Sequence, residues 1–350
     1  MKDTMPVGWK NLETYVVEVV STLGLSIGHS HDVAERLVKA HLRGFDTHGI
    51  PCLFGYVEAL EEGRINPAPL LRIDTNRSCG MRLDADNGLG QIAGTKAMNM
   101  CLDKAAETGI GCVTVKRSNH FGAASTYSLM ALERNCIGIV MSNAASVTAP
   151  FGAAEALLGT NPMSVAIPAG DAAPFVIDMA TSEGSRKKVR KALEDNKQIP
   201  AGWSLDKHGE PTTDPAAALE GVMLPFGGMK GSAITILTDI LSGVLSGAEF
   251  GGQVLSVATN HERESGNGNF MLAINVEMFM AIEEFRERMD EELSRIMKLK
   301  PANGFDQVIY PGFLEHTTEQ KRMKEGIPLD GKLLEKMRAL GGKMGVALPI

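Results

Sequence analysis

The sequence predicts a mixed α/β fold with a helical N-terminal region. Apolar residues recur at helical spacing over roughly the first 62 residues, and from about residue 75 short apolar strands alternate with helices. The chain has 350 residues and is 44% hydrophobic, which is typical of a globular protein with room for two domains. The change of period near residue 75 is therefore the first indication of how the chain is organised.

The N-terminal region divides into three predicted helices. The first carries apolar residues at helical spacing and ends at Gly24. Ser30 is predicted to cap the second helix, and the third runs from Leu53 to near Gly63. The turn Thr47-His48-Gly49 lies between the second helix and the third.

Strands and helices alternate through the rest of the chain. The candidate strands are 81–84, 111–116, 137–142, 163–167, 175–179 and 270–274. The candidate helices are 92–108, 124–134, 230–247, 281–297 and 332–340. The strands between 137 and 179 are candidates for antiparallel pairing, and residues 196–215, rich in Pro, Gly and Asp, are predicted to form a loop.

Charge and composition argue against several classes of protein. The net charge of −7 and the lack of a Lys/Arg-rich block argue against nucleic acid as a partner. No apolar run approaches the roughly 18–20 residues of a membrane span, and the N-terminus lacks the apolar core of a signal peptide, so we expect a cytoplasmic protein. The five cysteines are scattered, as is usual for reduced thiols, and no ligand pattern predicts a metal.

The sequence has no standard nucleotide-binding motif. Residues 86–91 come nearest to Gly-x-Gly-x-x-Gly, but the third glycine is missing, and no Walker-type lysine motif is present. A bound nucleotide would therefore be held in some way other than the usual Rossmann fingerprint.

Two histidines in polar turns are the candidates for catalysis. His120 follows the candidate strand 111–116, and His48 follows Asp46-Thr47. Imidazole is suited to moving a proton near neutral pH, and α/β folds place chemistry at the carboxyl ends of strands. The alternative for each is a loop histidine that hydrogen-bonds the local backbone. Arg43 is suited to orienting an anionic substrate, although an arginine at a helix end is usually only solvated.

Three further segments carry groups suited to a nucleotide. Asp178 ends an apolar strand, where a carboxylate can accept from ribose hydroxyls, hold a histidine or cap a helix. Lys230 lies in a glycine-rich turn before a helix, where an ammonium and backbone amides suit a phosphate. The segment Thr160-Asn161 by itself predicts only a tight turn.

Together these segments resemble the second type of malate/L-lactate dehydrogenase, a family that includes ureidoglycolate and sulfolactate dehydrogenases and diketogulonate and piperideine-carboxylate reductases. The resemblance runs from about Arg43 to Gly312. Its specificity comes from short matches in the right order and spacing, at 43–49, 84–91, 118–122, 150–152, 159–162, 178–182, 211–215 and 230–231.

The resemblance implies a homodimeric oxidoreductase that uses NAD or NADP and has a sulfolactate-dehydrogenase-like fold in place of a Rossmann domain. It implies that residues 1–74 pack with 256–350 as one domain and that 75–255 form the NAD(P)-binding domain. The implied reaction interconverts a 2-hydroxy acid and a 2-oxo acid, as with malate or lactate, by hydride transfer. The alternatives are reduction of an imino acid on the same scaffold and a non-catalytic paralogue that binds a metabolite.

The resemblance also implies roles for individual residues. His120 would lie by the nicotinamide and the substrate and act in proton transfer, and His48 would line the substrate side with Thr47 and Tyr56. The match leaves open which histidine donates the proton. The residues implied to contact the cofactor are His120, Thr160, Asn161, Asp178, Met179, Ala180 and Lys230.

The sequence departs from the family pattern at three positions near these sites, of which Thr47, in place of the more usual serine, is a mild change. Cys52 stands where the family commonly has an arginine that binds the substrate carboxylate. A charge-assisted contact is therefore missing unless Arg43 or another residue replaces it. Lys187 stands where glycine is common, which would alter either the preference for cofactor phosphate or only a surface loop.

Overall fold

The computed structural model describes residues 4–257, 259–261 and 264–348. Its α-helices are α1 (Trp9–Ser21), α2 (Ile27–Leu42), α3 (Pro51–Glu61), α4 (Gly90–Thr108), α5 (Ser125–Ser128), α6 (Arg186–Glu194), α7 (Pro215–Glu220), α8 (Met229–Asp239), α9 (Ile282–Met297), α10 (Phe313–Glu325) and α11 (Gly331–Met344). Its strands are β1 (Thr4–Val7), β2 (Arg72–Asn76), β3 (Gly80–Asp84), β4 (Ile110–Ser118), β5 (Cys136–Ser142), β6 (Met163–Ile167), β7 (Phe175–Met179), β8 (Ser204–Leu205), β9 (Pro211–Thr212), β10 (Val222–Met223), β11 (Asn267–Asn275) and β12 (Ile327–Asp330). None of these helices is both long and apolar enough to cross a membrane.

The largest sheet has seven strands in the order β2-β3-β4-β11-β5-β6-β7. Strands β3 and β4 pair in parallel, and the other neighbours pair antiparallel. The mixed α/β class and the antiparallel pairing of β5, β6 and β7 are thereby confirmed. Strand β11 lies between β4 and β5, although the predicted domain division groups it with the N-terminal helices.

A second hydrophobic core joins the two ends of the chain. The apolar faces of α1, α2 and α3 pack with residues of α11 and β12. Strand β1 pairs antiparallel with β12, and the buried Tyr15 hydroxyl donates to the carbonyl of Met337 at 2.6 Å. Because α2 and α3 flank the 3₁₀ turn Asp46–His48, this core fixes the position of His48.

Helix α4 packs against the seven-stranded sheet and begins beside the loop that follows β4. A Cβ atom added at Gly90 would lie 2.3 Å from the carbonyl oxygen of Asn119. Only glycine therefore allows the helix to start this close to the loop that carries His120. The close approach places Gln91, the next residue of the helix, near that histidine.

The start of α2 differs from the prediction. The helix begins at Ile27, and the hydroxyl of Ser26 accepts a hydrogen bond from the His29 N–H. Ser30 therefore lies inside the helix and is not its cap. The physical reason is that Ser26, two residues after Gly24, adopts the extended conformation of a helix cap, so the helix forms one turn earlier than the pattern of apolar residues suggests.

Several elements lack the apolar period that reveals secondary structure. In α6 the buried side chain is Val189, and in α10 it is Glu319, so neither helix shows an apolar face. The predicted loop 196–215 contains β8 and β9, which form a three-stranded sheet with β10. The predicted helix 230–247 is α-helical only to Asp239 and continues as a π-helix over Ile240–Val244.

Candidate active site

His120 lies just beyond the carboxyl end of β4, where a chain of hydrogen bonds holds its ring. The Tyr56 hydroxyl lies 2.6 Å from Nδ1 of His120, and the Gln91 amide donates to that hydroxyl oxygen at 2.9 Å. The backbone N–H of Gly122 also donates to Nδ1, at 3.4 Å. In the neutral tautomer in which Nδ1 accepts from Gly122, the Tyr56 O–H also donates to Nδ1 and Nε2 carries the ring proton, so Nε2 is the nitrogen that faces a ligand.

Tyr56 reaches His120 from α3, one helical turn beyond Cys52, so the two side chains lie on the same face of the helix. The tyrosine is 1% exposed. Burial raises the pKa of Tyr56 well above its ordinary value, because a phenolate has no water to solvate it there. The phenol therefore stays protonated at neutral pH and remains a hydrogen-bond donor.

His48 stacks on His120, with ring centroids 6.0 Å apart and planes 19° from parallel. The hydroxyl oxygen of Thr47 lies 3.0 Å from Nδ1 of His48. As in His120, one ring nitrogen has a local partner and Nε2 remains for a ligand. The structure thus brings Thr47, His48, Tyr56 and His120 into one site.

Both imidazoles are uncharged at pH 7. Burial, followed by the neighbouring His48 and Lys187, lowers the pKa of His120 to about 3. Burial and the Lys187 ammonium lower the pKa of His48 to about 4. Loss of water disfavours an imidazolium, and a nearby cation disfavours it further. A negatively charged ligand in this site would act in the opposite direction and raise both values.

Cys52 and Lys187 meet at the Thr47 carbonyl. The Cys52 thiol donates to this oxygen at 3.4 Å, and the Lys187 ammonium donates to it at 2.8 Å. Burial raises the pKa of Cys52, so the thiol is uncharged at neutral pH. Position 52 therefore offers no charge, and Lys187 supplies a positive charge on this side of the histidine pair.

Arg43 is engaged elsewhere. Its buried guanidinium donates to the Glu319 carboxylate at 2.9 Å. It also lines a cleft of about 400 Å³ together with Asp178 and Met179. Glu319 also pairs with Lys39, and Nε and Nη2 of Arg43 have no hydrogen-bond partner among the described residues, so substrate binding by Arg43 stays a prediction.

Asp178 links β7 to the loop after His120. Its carboxylate accepts a hydrogen bond from the backbone N–H of Ser125 at 2.9 Å. Burial raises the pKa of Asp178 above its ordinary value. Met179 is half-buried on the wall of the smaller cleft, and Ala180 is exposed, so this segment ends at an open surface.

Thr160 and Asn161 hold together the segments around them. The Thr160 carbonyl accepts from the Thr181 N–H at 2.8 Å. The Asn161 side chain is buried, with Oδ1 accepting from the Ala144 N–H and Nδ2 donating to the Thr235 carbonyl, each at 3.1 Å. Because both ends of this amide are engaged, Asn161 does not present it to a ligand.

Lys230 lies two residues after Gly228, which lines a larger cleft of about 560 Å³. The walls of this cleft include Phe151, Gly152 and the pair Gly227-Gly228. Gly228 is the N-cap residue of α8 and offers no side chain to cap the helix, so the first N–H groups of the helix lack that partner. The exposed Lys230 lies in the same helical turn, and the combination suits a phosphate group.

Comparison with known proteins identifies the family. The family model for malate/L-lactate dehydrogenase matches residues 7–338 of the chain. The chain belongs to the malate/L-lactate dehydrogenase family. Members of this family are oxidoreductases, and the likeness covers both the helical core and the sheet.

Individual relatives support the same conclusion. L-sulfolactate dehydrogenase of Methanocaldococcus jannaschii is 39% identical over 337 residues, which are 96% of this chain and 96% of the relative. The solved structure of sulfolactate dehydrogenase from that organism has a TM-score of 0.92 at 38% identity over 98% of both chains. Malate dehydrogenase of Entamoeba histolytica has a TM-score of 0.94 at 32% identity over 99% of this chain and 100% of that one. This family member is thus a 2-hydroxy acid dehydrogenase, and the predicted sulfolactate-dehydrogenase-like fold is confirmed.

Two residues of this site, Gln91 and Lys187, are not among the site residues predicted from the sequence. Gln91 is the last residue of the segment 84–91, which matches the family pattern, but the match assigns no function to this glutamine. Lys187 was noted only as a departure from a common glycine. In both cases the sequence marks the position, and the fold supplies the contact with Tyr56 or Thr47.

Proposed function

We propose that the protein is an NAD(P)-dependent dehydrogenase that interconverts a 2-hydroxy acid and a 2-oxo acid, with His120 exchanging the hydroxyl proton. The observation that carries this proposal is the hydrogen-bonded chain from Gln91 through Tyr56 to Nδ1 of His120. It orients the ring and reserves Nε2 for the substrate oxygen. Membership of the family supports the reaction class.

His120 is suited to both directions of such a reaction. In reduction the imidazolium, with its Nδ1–H donating to the Tyr56 oxygen, gives its Nε2 proton to the former carbonyl oxygen and becomes neutral. In oxidation the neutral ring with its proton on Nδ1 accepts the hydroxyl proton at Nε2 and becomes the imidazolium. A phenol hydroxyl both donates and accepts, so Tyr56 can hold Nδ1 in either protonation state. We assign His48 to the substrate side, because its ring stacks on that of His120 and its Nδ1 already has Thr47 as a partner. Nε2 of His48 is therefore available to a substrate beside His120.

The residues beside the larger cleft fit a nicotinamide cofactor. Gly227 and Gly228 adopt φ angles of +57° and +64°, and the missing side chains bring the start of α8 to the cleft surface. Lys230 and the first N–H groups of α8 would hold the phosphates. Asp178 lines the smaller cleft, and its role as the acceptor for a ribose hydroxyl rests on the family resemblance. When bound, NAD or NADP supplies the hydride chemistry.

We also propose that the protein is a homodimer, as the family resemblance implies. Helix α8 and the π-helix after it expose a stripe of large apolar side chains, between 41% and 55% accessible, at Ile236, Leu237, Ile240, Val244 and Leu245. Contiguous apolar surface of this kind marks interaction sites on globular proteins. A second copy of the chain would cover it.

The function is tested by fluorescence titration with NADH and NADPH, followed by turnover measurements. The substrates are 2-oxo acids with and without a second anionic group, together with a cyclic imino acid. We expect saturable binding of at least one cofactor and turnover of a 2-oxo acid. Binding of neither cofactor, or turnover of the imino acid alone, would contradict the proposal.

A further inference from the structure

We infer that Lys187 binds the carboxylate of the 2-oxo or 2-hydroxy acid and so replaces the positive charge that Cys52 lacks. The inference rests on the proposed function, because it names a substrate-binding residue of the same site. Lys187 comes from the first turn of α6 and Cys52 from the first turn of α3. Both side chains donate to the same carbonyl oxygen, that of Thr47. The ammonium therefore lies at the position that the side chain of residue 52 reaches.

The ammonium of Lys187 has hydrogen-bonding capacity to spare. Its bond to the Thr47 carbonyl uses one of the three N–H groups that an ammonium carries. The partner is uncharged, whereas the guanidinium of Arg43 is paired with the Glu319 carboxylate. Lys187 is thus able to offer its charge and two N–H groups to a substrate anion.

The charge of Lys187 is directed toward the histidine pair. It contributes to the lowered pKa values of His48 and His120 and opposes the burial effect on the Cys52 thiol. The ring centroids of the two histidines are 6.0 Å apart. An α-keto or α-hydroxy carboxylate places its oxygen and its carboxylate on adjacent carbon atoms. With its oxygen at His120, its carboxylate would therefore lie within reach of a cation beside the pair.

The competing explanation is a structural latch, in which Lys187 only fixes the Thr47 turn. Lys187→Met removes the charge and keeps most of the stem. The matched control is Lys188→Met, because Lys188 is the next residue of α6 and its ammonium lies over the Trp203 ring, 5.9 Å from the centroid. Lys187→Arg retains the charge.

The readouts are KM and kcat for the best 2-oxo acid, with the Kd for NAD(P)H. We expect Lys187→Met to raise KM about 10- to 100-fold, the effect of losing one charge-assisted contact, with a smaller change in kcat. Lys188→Met and Lys187→Arg should stay within a few-fold of the wild type, and the cofactor Kd should not change. An unchanged KM in Lys187→Met, or a fall in kcat and thermal stability without a rise in KM, overturns the inference.

Moving the charge provides a second test. In the Lys187→Met background, Cys52→Arg should bring KM most of the way back to the wild-type value, because both side chains reach the same part of the site. A double variant as weak as Lys187→Met alone contradicts a shared anion site.

A binding test separates this inference from the proposed function. Oxamate carries a carboxylate and is not reduced, and its Kd can be measured from the NMR signals of the histidine rings. We expect oxamate to bind the wild type at least tenfold more tightly than Lys187→Met and as tightly as Lys188→Met. Equal affinity for wild type and Lys187→Met, or no binding at all, overturns the inference. Binding that depends on Lys187, without turnover of any 2-oxo acid, would instead count against the proposed function alone.

Discussion

The Tyr56 hydroxyl lies 2.6 Å from Nδ1 of His120, and this bond joins two separately packed parts of the chain. Tyr56 belongs to the hydrophobic core that the N-terminal helices share with the end of the chain. His120 follows β4 of the seven-stranded sheet. The orientation of the His120 ring therefore depends on how the helical core packs against the sheet, and Gln91 reinforces the bond.

Tyr56→Phe removes this bond without changing the shape of the side chain. We expect kcat to fall about 10- to 100-fold, the usual scale for losing the partner that orients a functional histidine. The control is Tyr15→Phe, which loses a buried bond to the Met337 carbonyl in the same core. Both variants should lose some thermal stability, measured by circular dichroism, but only Tyr56→Phe should lose kcat. Equal kcat in the two variants would contradict an orienting role.

The two histidines are distinguished by parallel substitutions. His120→Gln should lower kcat by roughly 10²–10⁴, as expected for loss of a general acid/base group, while cofactor affinity changes less. His48→Gln should act mainly on KM, because we assign that ring to the substrate side. The control is His31→Gln, at an exposed position of α2. The reverse pattern, with kcat lost chiefly in His48→Gln, would assign proton transfer to His48.

The sheet could be predicted because its strands are short, apolar and separated by clear turns. Strands β6 and β7 have the predicted bounds, and β5 begins one residue earlier than predicted. Pairing of β1 with β12 could not be predicted, because four-residue strands at opposite ends of a chain carry no local signal of each other. Charged helices such as α6 and α10 could not be predicted for a different reason: they bury few side chains and so show no apolar periodicity.

The site was predictable by residue but not by contact. The turns that carry His48 and His120 stand out in the sequence, and the resemblance adds Tyr56. Nothing in the sequence places Lys187 at the Thr47 carbonyl, because that contact depends on how α6 packs against the turn. The same limit explains Arg43, whose pairing with Glu319 depends on α10, a helix that the sequence did not reveal.

Lys230→Ala tests the cofactor site. We expect the Kd for NADH or NADPH to rise about tenfold, because a charge-assisted contact to phosphate is lost. Lys321→Ala, at an exposed position of α10, removes the same charge away from the cleft and should leave the Kd unchanged. Fluorescence titration measures both. Equal Kd values for Lys230→Ala and the wild type would exclude Lys230 from the site.

Substitutions in the apolar stripe on α8 and the following π-helix test whether it forms a dimer interface. Light scattering at micromolar concentration should give the mass of a dimer for the wild type. Leu245→Glu places a charge in the stripe and should shift the protein toward monomer, since burying an unpaired carboxylate is costly. Leu299→Glu changes another exposed leucine, 61% accessible, and should leave the dimer intact. An active wild-type monomer would contradict the proposal.

The lowered pKa values of His48 and His120 predict how stability depends on pH. Between the unfolded value of about 6.5 and the folded values of about 4 and 3, the unfolded chain binds protons that the folded chain does not. The free energy of unfolding is therefore fully maintained above pH 6.5 and falls as the pH is lowered toward 4. At pH 5 the loss should be about 2 kcal/mol for each histidine.

Urea unfolding at pH 7.5 and pH 5.0 measures this dependence. Other groups titrate in the same range, and Asp32, whose pKa burial raises to about 6, acts in the opposite sense. The difference between the wild type and His48→Gln isolates one histidine, because the remaining groups are common to both proteins. The variant should lose less stability than the wild type between the two pH values, since glutamine cannot take up the proton. An equal loss in the two proteins would mean that the surroundings of His48 do not hold its ring uncharged. The two histidines would then not form a pair of neutral rings in the absence of an anionic ligand.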